Sequence, residues 1–563
     1  MRIFLLPSRL QSYLIGLSGC LLATSAHSQA INDLADNQLQ RQQQREEARR
    51  RQDEAIPDVR LEAPTLPKPD GYNDDEKPCF VIRQVKLEGD EAEHFRWALA
   101  YAKPGLGHCL GTAGINTLVG AIQNALIERG YVTSRVLAAP QDLQSGQLRL
   151  KLVPGRIRTI RFADPISRAS YASALPARGG DLLNLRSIEQ GLENFKRVPG
   201  TEADVQIVPG VQPGESDLVI KLSTGRGYRV SLSADDSGTK STGTHQRGVT
   251  LSLDNPSGLH DLFYVTLNRN LPGDRPGGAH GTQGSAIHYS IPYGYWLASV
   301  QMNDYRYHQT VAGANQDYIY SGTSRTTELK LARMVYRDAT RKTTLSLRGY
   351  QRQSRNFIDD TEVEVQRRRM GGFTVGVNHK EFIGTGTLDL GLTWKLGTSA
   401  FGTLPAPEEP FGEGTARPRM FNADVSLSIP LGQSLVYQTS WRAQWNRTAL
   451  VPQDRFAIGG RYTVRGFDGE SSLSAERGWI ERNDLIWTLP GTSQQLYLAF
   501  DHGHVSGPTA PRLLGTYLTG IAMGWRGQLG RLQADVFPGR PVSMPTGFRT
   551  AGLAKGFNLN YEY

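Results

Sequence analysis

The sequence predicts an all-β transmembrane barrel of sixteen antiparallel strands, preceded by a polar helix and two small α+β units. Three observations lead there. From residue 225 onward, apolar residues alternate with polar or small ones in stretch after stretch, as in Tyr264-Val265-Thr266-Leu267-Asn268, Thr344-Leu345-Ser346-Leu347-Arg348 and Val425-Ser426-Leu427-Ser428-Ile429. No segment beyond the N-terminus approaches the ~18 apolar residues a spanning helix needs, so the mature chain is either soluble outside the cytoplasm or a membrane barrel. The end decides between them. Phe557-Asn558-Leu559-Asn560-Tyr561-Glu562-Tyr563 alternates up to a terminal aromatic, as a barrel-closing strand and assembly signal does.

Bulk composition narrows the function classes. With 563 residues the chain has room for several domains, and 39% hydrophobic residues separate it from a disordered protein. Its 63 Lys+Arg against 54 Asp+Glu leave a net charge of +9. No run of five or six like charges concentrates it, so it does not indicate nucleic acid.

Residues 1–30 read as a secretory signal peptide. Arg2 and Arg9 flank a basic start, an apolar stretch runs from Tyr13 to Ala23, and Ser28 and Ala30 fit a cleavage pattern. Leu17-Ser18-Gly19-Cys20 also matches a lipoprotein-type cleavage box, which would acylate Cys20. Export places Cys79 and Cys109 in an oxidising compartment, where this even pair is expected to be bonded. No His or Cys cluster accompanies them, so no metal site is expected.

Residues 31–56 are Gln-, Arg- and Glu-rich helix formers with no Gly or Pro and too few apolar residues for a core. A helix that is polar all round is solvated or sits in a polar cavity. A stiff linker follows over 57–78, with Pro57, Pro64, Pro67, Pro69 and Pro78. Residues 79–155 form the first α+β unit: a strand over 80–87, a helix carrying Ile115, Leu118, Val119, Ile122, Leu126 and Ile127 and ended by Gly130, and strands over 132–137 and 148–153. Residues 156–224 repeat the scheme, with strands over 157–162, 203–208 and 217–222 and a helix over 185–195.

The barrel takes residues 225–563, about 21 residues per strand and connection. Short turns such as Asn255-Pro256-Ser257-Gly258 alternate with longer loops. A soluble sandwich would show strands of about 5–6 residues, and a propeller a repeat of about 40–50. Sixteen strands leave an aqueous lumen that must be filled. The 31–56 helix and the longest loop are the candidates.

That loop, between the eleventh and twelfth predicted strands, carries Gly459-Gly460-Arg461-Tyr462-Thr463-Val464-Arg465-Gly466-Phe467. Ala499-Phe500-Asp501-His502-Gly503 lies in the thirteenth. With these motifs the chain resembles the two-partner secretion transporters (TpsB) of the hemolysin, adhesin and contact-dependent-toxin types, within the superfamily of POTRA-bearing barrels. Val464-Arg465-Gly466-Phe467 matches the family's loop signature and Asp501-His502-Gly503 its Asp-x-Gly strand motif. Gly130-Tyr131-Val132-Thr133-Ser134-Arg135 and Pro140-Gln141-Asp142-Leu143 match the first POTRA unit. Asn184-Leu185-Arg186, Glu189-Gln190-Gly191 and Pro209-Gly210 match the second.

The resemblance implies that the sixth extracellular loop folds into the lumen and that Arg465 pairs with Asp501. A guanidinium inside a restricted lumen needs a fixed carboxylate and can hold it by two hydrogen bonds. Gly466 would let the tip turn and Phe467 would wedge against the wall. The POTRA units would capture an unfolded client by strand addition, with Arg135, Arg186 and Arg197 as candidate client-binding residues. The implied protein sits in the outer membrane of a Gram-negative cell, POTRA units in the periplasm. It is a monomer in contact with outer-membrane lipid and is delivered by the barrel assembly machinery. Its partner is a large secreted exoprotein with an N-terminal secretion domain. No nucleic acid and no cofactor is expected, and no enzymatic activity. His260, His280, His502 and His504 are scattered, with no nucleophile motif beside them. An outer-membrane insertion factor is the alternative, although that type has more POTRA units and lacks the N-terminal helix.

Overall fold

A computed structural model describes residues 38, 40–47, 57–62, 71–164, 170–272, 279–313 and 315–563. The signal segment, Cys20 and the remaining parts of 31–78 lie outside the described residues.

The sheet closes on itself as a barrel of 16 antiparallel strands, as the alternation predicts. The first, Tyr228–Asp235, pairs with the last, Ala554–Glu562, in the register Asn558↔Asp235 to Glu562↔Ser231. Closure leaves no open sheet edge to the bilayer, which has no water to satisfy one. The longest strand, Asp317–Arg337, has 21 residues. It shows how period two sorts side chains. Leu329 and Leu331 are exposed on the outer face, while Glu328 points inward and pairs with Arg348 of the next strand. Beyond the apolar band the outer face turns polar. Along Trp296–Ala312 it runs through Val300 and Met302, then Asp304 and Arg306. Aromatic residues cluster near the extracellular rim. Trp441 stacks on Trp479 (5.5 Å), Trp479 lies 5.3 Å from the His502 ring, and His504 stacks on Tyr517 (4.2 Å). His502 and His504 thus belong to an interfacial girdle.

Each POTRA unit is a three-stranded sheet covered by helices. In the first, Gln84–Glu88 runs parallel to Gln147–Val153, which pairs with Arg135–Ala138. Helix Thr112–Glu128 buries Leu118, Ile122 and Leu126 against Leu148, Leu150 and Leu152. Its C-terminus closes as a Schellman motif: Tyr131 N–H donates to Leu126 O, Gly130 N–H donates to Ile127 O, and Gly130 has φ +95°.

The structure corrects the expected strand over 80–87. Phe80–Val81 pairs with Cys109–Leu110, whereas Gln84–Glu88 pairs with Gln147–Val153. One alternating stretch therefore serves two sheets, and the chain changes partner at Ile82 and Arg83. A 3-10 segment, Arg96–Gly105, was not expected; its buried face is carried by Ala98 and Ala102, too small to mark a helical stripe. Cys79 and Cys109 form the expected disulfide, closing a separation of 30 residues. A loop of that size implies on the order of 3–4 kcal/mol of stabilisation. Cys79→Ser/Cys109→Ser is expected to make the first unit markedly more sensitive to limited proteolysis of the full chain, with the barrel unaffected; equal protection would show that the core suffices.

In the second unit Arg156–Phe162 runs parallel to Glu215–Ser223, which pairs with Glu202–Pro209. Asn184 caps helix Leu185–Lys196 by accepting from Arg186 N–H at 2.8 Å. The same side chain donates to Arg129 O, and Leu185 N–H donates to Gly130 O, so the cap of one helix is tied to the end of the other. Ile127 and Val132 of the first unit lie in the core of the second, beside Ile188, Leu192 and Phe195.

Candidate functional site in the barrel lumen

The eleventh strand, Leu435–Asn446, and the twelfth, Arg477–Thr488, are joined by a segment that turns inward instead of standing over the rim. Within it Phe456–Ile458 and Leu473–Ala475 pair as a short hairpin separate from the wall. The hairpin carries residues 459–472 as its tip.

Arg465 lies in that tip and is 3% exposed. Its Nε and one terminal nitrogen donate to the two oxygens of Asp501, each at 2.7 Å, and its backbone N–H donates to the same carboxylate at 2.8 Å. Asp501, on strand Gln495–Ser506, is fully buried. A second carboxylate, Asp484 on the twelfth strand, lies 2.6 Å from Arg465. One guanidinium thus faces two lumen carboxylates on adjacent strands, with Arg482 3.8 Å from Asp501 on the other side. A planar fork suits this site where a lysine would not.

The neighbouring motif residues make the approach possible. Gly466 has φ +100°, and a Cβ there would strike the Arg540 carbonyl. Gly503 faces Val464, where a Cβ would come within 2.9 Å of a methyl group. Val464 and Phe467 are buried with Ile458, Leu473, Ile480, Val505 and Leu518, and Phe467 meets Phe548 edge-on at 5.8 Å. The wedge expected of Phe467 is therefore an apolar anchor inside a polar lumen.

Further ties were not legible from the sequence. Asp454, at the root of the loop, accepts from Arg352 and from Lys395, each at 2.9 Å, on two other strands. Arg461 pairs with Asp236 and donates to Phe557 O at 3.1 Å, beside the barrel seam. No local motif marks Asp454, Asp484 or Asp236; each is one polar residue among many.

Residues 40–47 are helical and lie in the lumen against this loop. Gln40 donates to Pro452 O at 2.5 Å, and Arg41 bridges Gly238 O (3.1 Å) and Asp468 O (3.2 Å). Arg45 pairs with Asp235 at 2.9 Å, and Gln38 donates to Thr239. These contacts are polar on several sides, which is why the sequence carries no apolar stripe there.

The three candidate client-binding arginines are not gathered on one surface. Arg135 donates to Val132 O and Ser134 O, within its own turn. Arg186 is buried and paired with Glu189. Arg197 donates to Ser290 Oγ at 2.6 Å and to His260 O, joining the second unit to the barrel. Neither Arg186 nor Arg197 faces an open groove, because both neutralise or bridge groups at a domain joint.

Comparison with known proteins agrees with this architecture. Residues 214–527 match the family described as haemolysin secretion/activation protein ShlB/FhaC/HecB. Residues 80–155 match the ShlB-type POTRA domain, and 156–209 match a POTRA domain. The chain is 34% identical over 572 residues to the outer membrane transporter CdiB-2 of Burkholderia pseudomallei, covering 96% of this chain and 97% of that one. It is 30% identical to CdiB of Dickeya dadantii, covering 96% of each. The solved structure of CdiB from Acinetobacter baumannii superposes with a TM-score of 0.82 at 29% identity, covering 94% of this chain and 99% of that one. The chain belongs to the ShlB/FhaC/HecB family of outer-membrane transporters of two-partner secretion, with its barrel in the outer membrane and its POTRA units in the periplasm.

Proposed function

We propose that the client is a large exoprotein of the kind carried by the CdiB transporters, captured unfolded by the POTRA units and threaded outward through the barrel. The likeness to the CdiB transporters over 96% of the chain supports that client, and threading is supported by a closed barrel whose lumen holds two pieces of its own chain, the 40–47 helix and the motif loop, by side-chain contacts. Export then requires the helix to leave and the loop to shift. Arg465 and Asp501 are the lock of that loop, with Val464, Gly466, Phe467 and Gly503 fitting it to the wall.

Capture falls to the sheet edges. Gln84–Glu88 and Arg135–Ala138 flank the first sheet, and Glu202–Pro209 is the open edge of the second, since the start of Arg156–Phe162 is covered by residues 180–183. An edge strand offers main-chain hydrogen bonds to any extended chain, which suits a client recognised before it folds. Folding outside would then prevent return. The transporter acts as a monomer and reaches the membrane through the barrel assembly machinery.

The test is co-expression with an exoprotein that CdiB transporters export, beside one exported by ShlB. Appearance of only the first in the medium, dependent on this chain, is the expected result. Export of only the second would overturn the client assignment.

A further inference from the structure

Residues 57–62 occupy a built groove between the second POTRA unit and the periplasmic end of the barrel. Helix Leu185–Lys196 presents Glu189 and Glu193, one turn apart. Glu193 accepts from Val59 N–H at 2.9 Å and Glu189 accepts from Leu61 N–H at 2.9 Å. The spacing explains the match. Residues four apart on a helix rise by about 6 Å. Alternate N–H groups of an extended chain lie on one side, about 6.6–6.8 Å apart. Val59 is buried in the core of the second unit, and Leu61 packs against it.

The barrel completes the groove. Arg337, at the end of strand Asp317–Arg337, donates to Val59 O at 2.6 Å and pairs with Glu193 (2.9 Å) and Glu189 (3.1 Å). All three charged side chains are 4% exposed or less. Lys342 and Lys380 hold Asp58, the latter at 2.7 Å, and Arg60 donates to Ala339 O while lying over the Phe382 ring at 4.6 Å. Burial would raise the Asp58 carboxyl, but the two lysines outweigh it and keep it below the usual carboxylate range.

We infer that this groove is a peptide-binding site for the chain's own residues 57–62, and that its occupancy sets the length of the tether on the plug helix. The inference rests on the helix leaving the lumen during export. With the groove filled, ten Cα steps separate Glu47 from Pro57, a reach of about 35 Å. With the groove empty, the next described residue that packs on a folded core is Tyr72, in the first unit. That is 25 steps, about 85 Å. Effective concentration falls roughly as the −3/2 power of tether length, so emptying the groove lowers the helix's return to the lumen about fourfold. The same contacts hold the second POTRA unit against the barrel, so the groove couples plug return to POTRA docking.

The experiment uses the full chain in planar bilayers and the double variant Asp58→Arg/Val59→Ser, which changes no residue of a strand or helix. A spin label at Arg60→Cys reports whether 57–62 is seated. Val211→Ser, at a position 82% exposed on the second POTRA unit, is the control and keeps wild-type behaviour. The expected result is an immobilised label in the parent and a mobile one in the double variant, with a three- to fivefold rise in the ratio of open to closed time. A mobile label in the parent would overturn the site. A released label with unchanged open time would overturn the tether. Deletion of 31–56 is run in parallel. If it leaves the conductance unaltered, the plug reading itself fails, and the label still decides the groove.

Discussion

Replacing Arg465 with alanine is expected to abolish export of the client while leaving the barrel assembled in the outer membrane. The guanidinium is the cation within hydrogen-bond distance of both Asp501 and Asp484, and Asp501 is fully buried. Removing one partner of a buried pair leaves an uncompensated charge, at a cost of about 3–5 kcal/mol. Arg482, 3.8 Å from Asp501, remains as a counter-charge, and release of the loop opens the carboxylate to lumen water, so the wall stays assembled. The strands that carry the carboxylates keep their register, Arg482↔Asp501 and Asp484↔Ala499 among others. Arg465→Lys keeps the charge but not the fork, and is expected to export at an intermediate level. Folded barrel in the membrane fraction and client in the medium are the two readouts. Normal secretion by Arg465→Ala would remove the lock from the mechanism.

Deleting residues 31–56 is expected to raise pore conductance severalfold with little loss of secretion. The described residues of this segment, 38 and 40–47, lie in the lumen and touch Pro452, Asp468, Asp235 and Thr239, groups of the inward loop and of the seam side of the barrel. Among the described residues they make no hydrogen bond to Arg465 or Asp501. Plug and lock are therefore separable: the helix touches the root and tip of the loop, while Arg465 ties it to the strand carboxylates. Unchanged conductance in planar bilayers would deny the helix its role as a plug.

Much of the barrel was readable because the bilayer imposes a local rule. Each spanning strand must show lipid an apolar face, so residues i and i+2 report the fold without knowledge of any neighbour. The polar helix, the strand order around the motif and the Cys79–Cys109 pair follow from comparably local or compositional signals. The lock was legible through a resemblance carried by Val464-Arg465-Gly466-Phe467 and Asp501-His502-Gly503, not through spacing, since 36 residues separate Arg465 from Asp501.

The tertiary structure decided what depends on closure and fold-back. Asp484 joins Arg465 because the twelfth and thirteenth strands lie side by side and the loop descends along their lumen face. Asp454 meets Arg352 and Lys395 across the lumen. The stretch from Phe80 to Leu87 is divided at Ile82 and Arg83 because two different sheets claim its halves. Gln40 reaches Pro452 over a separation of 412 residues, and Arg337 reaches Val59 over 278. Alternation tells each residue which face it occupies. Only the register of a closed sheet, with a loop and a linker laid into it, determines which charges on those faces meet.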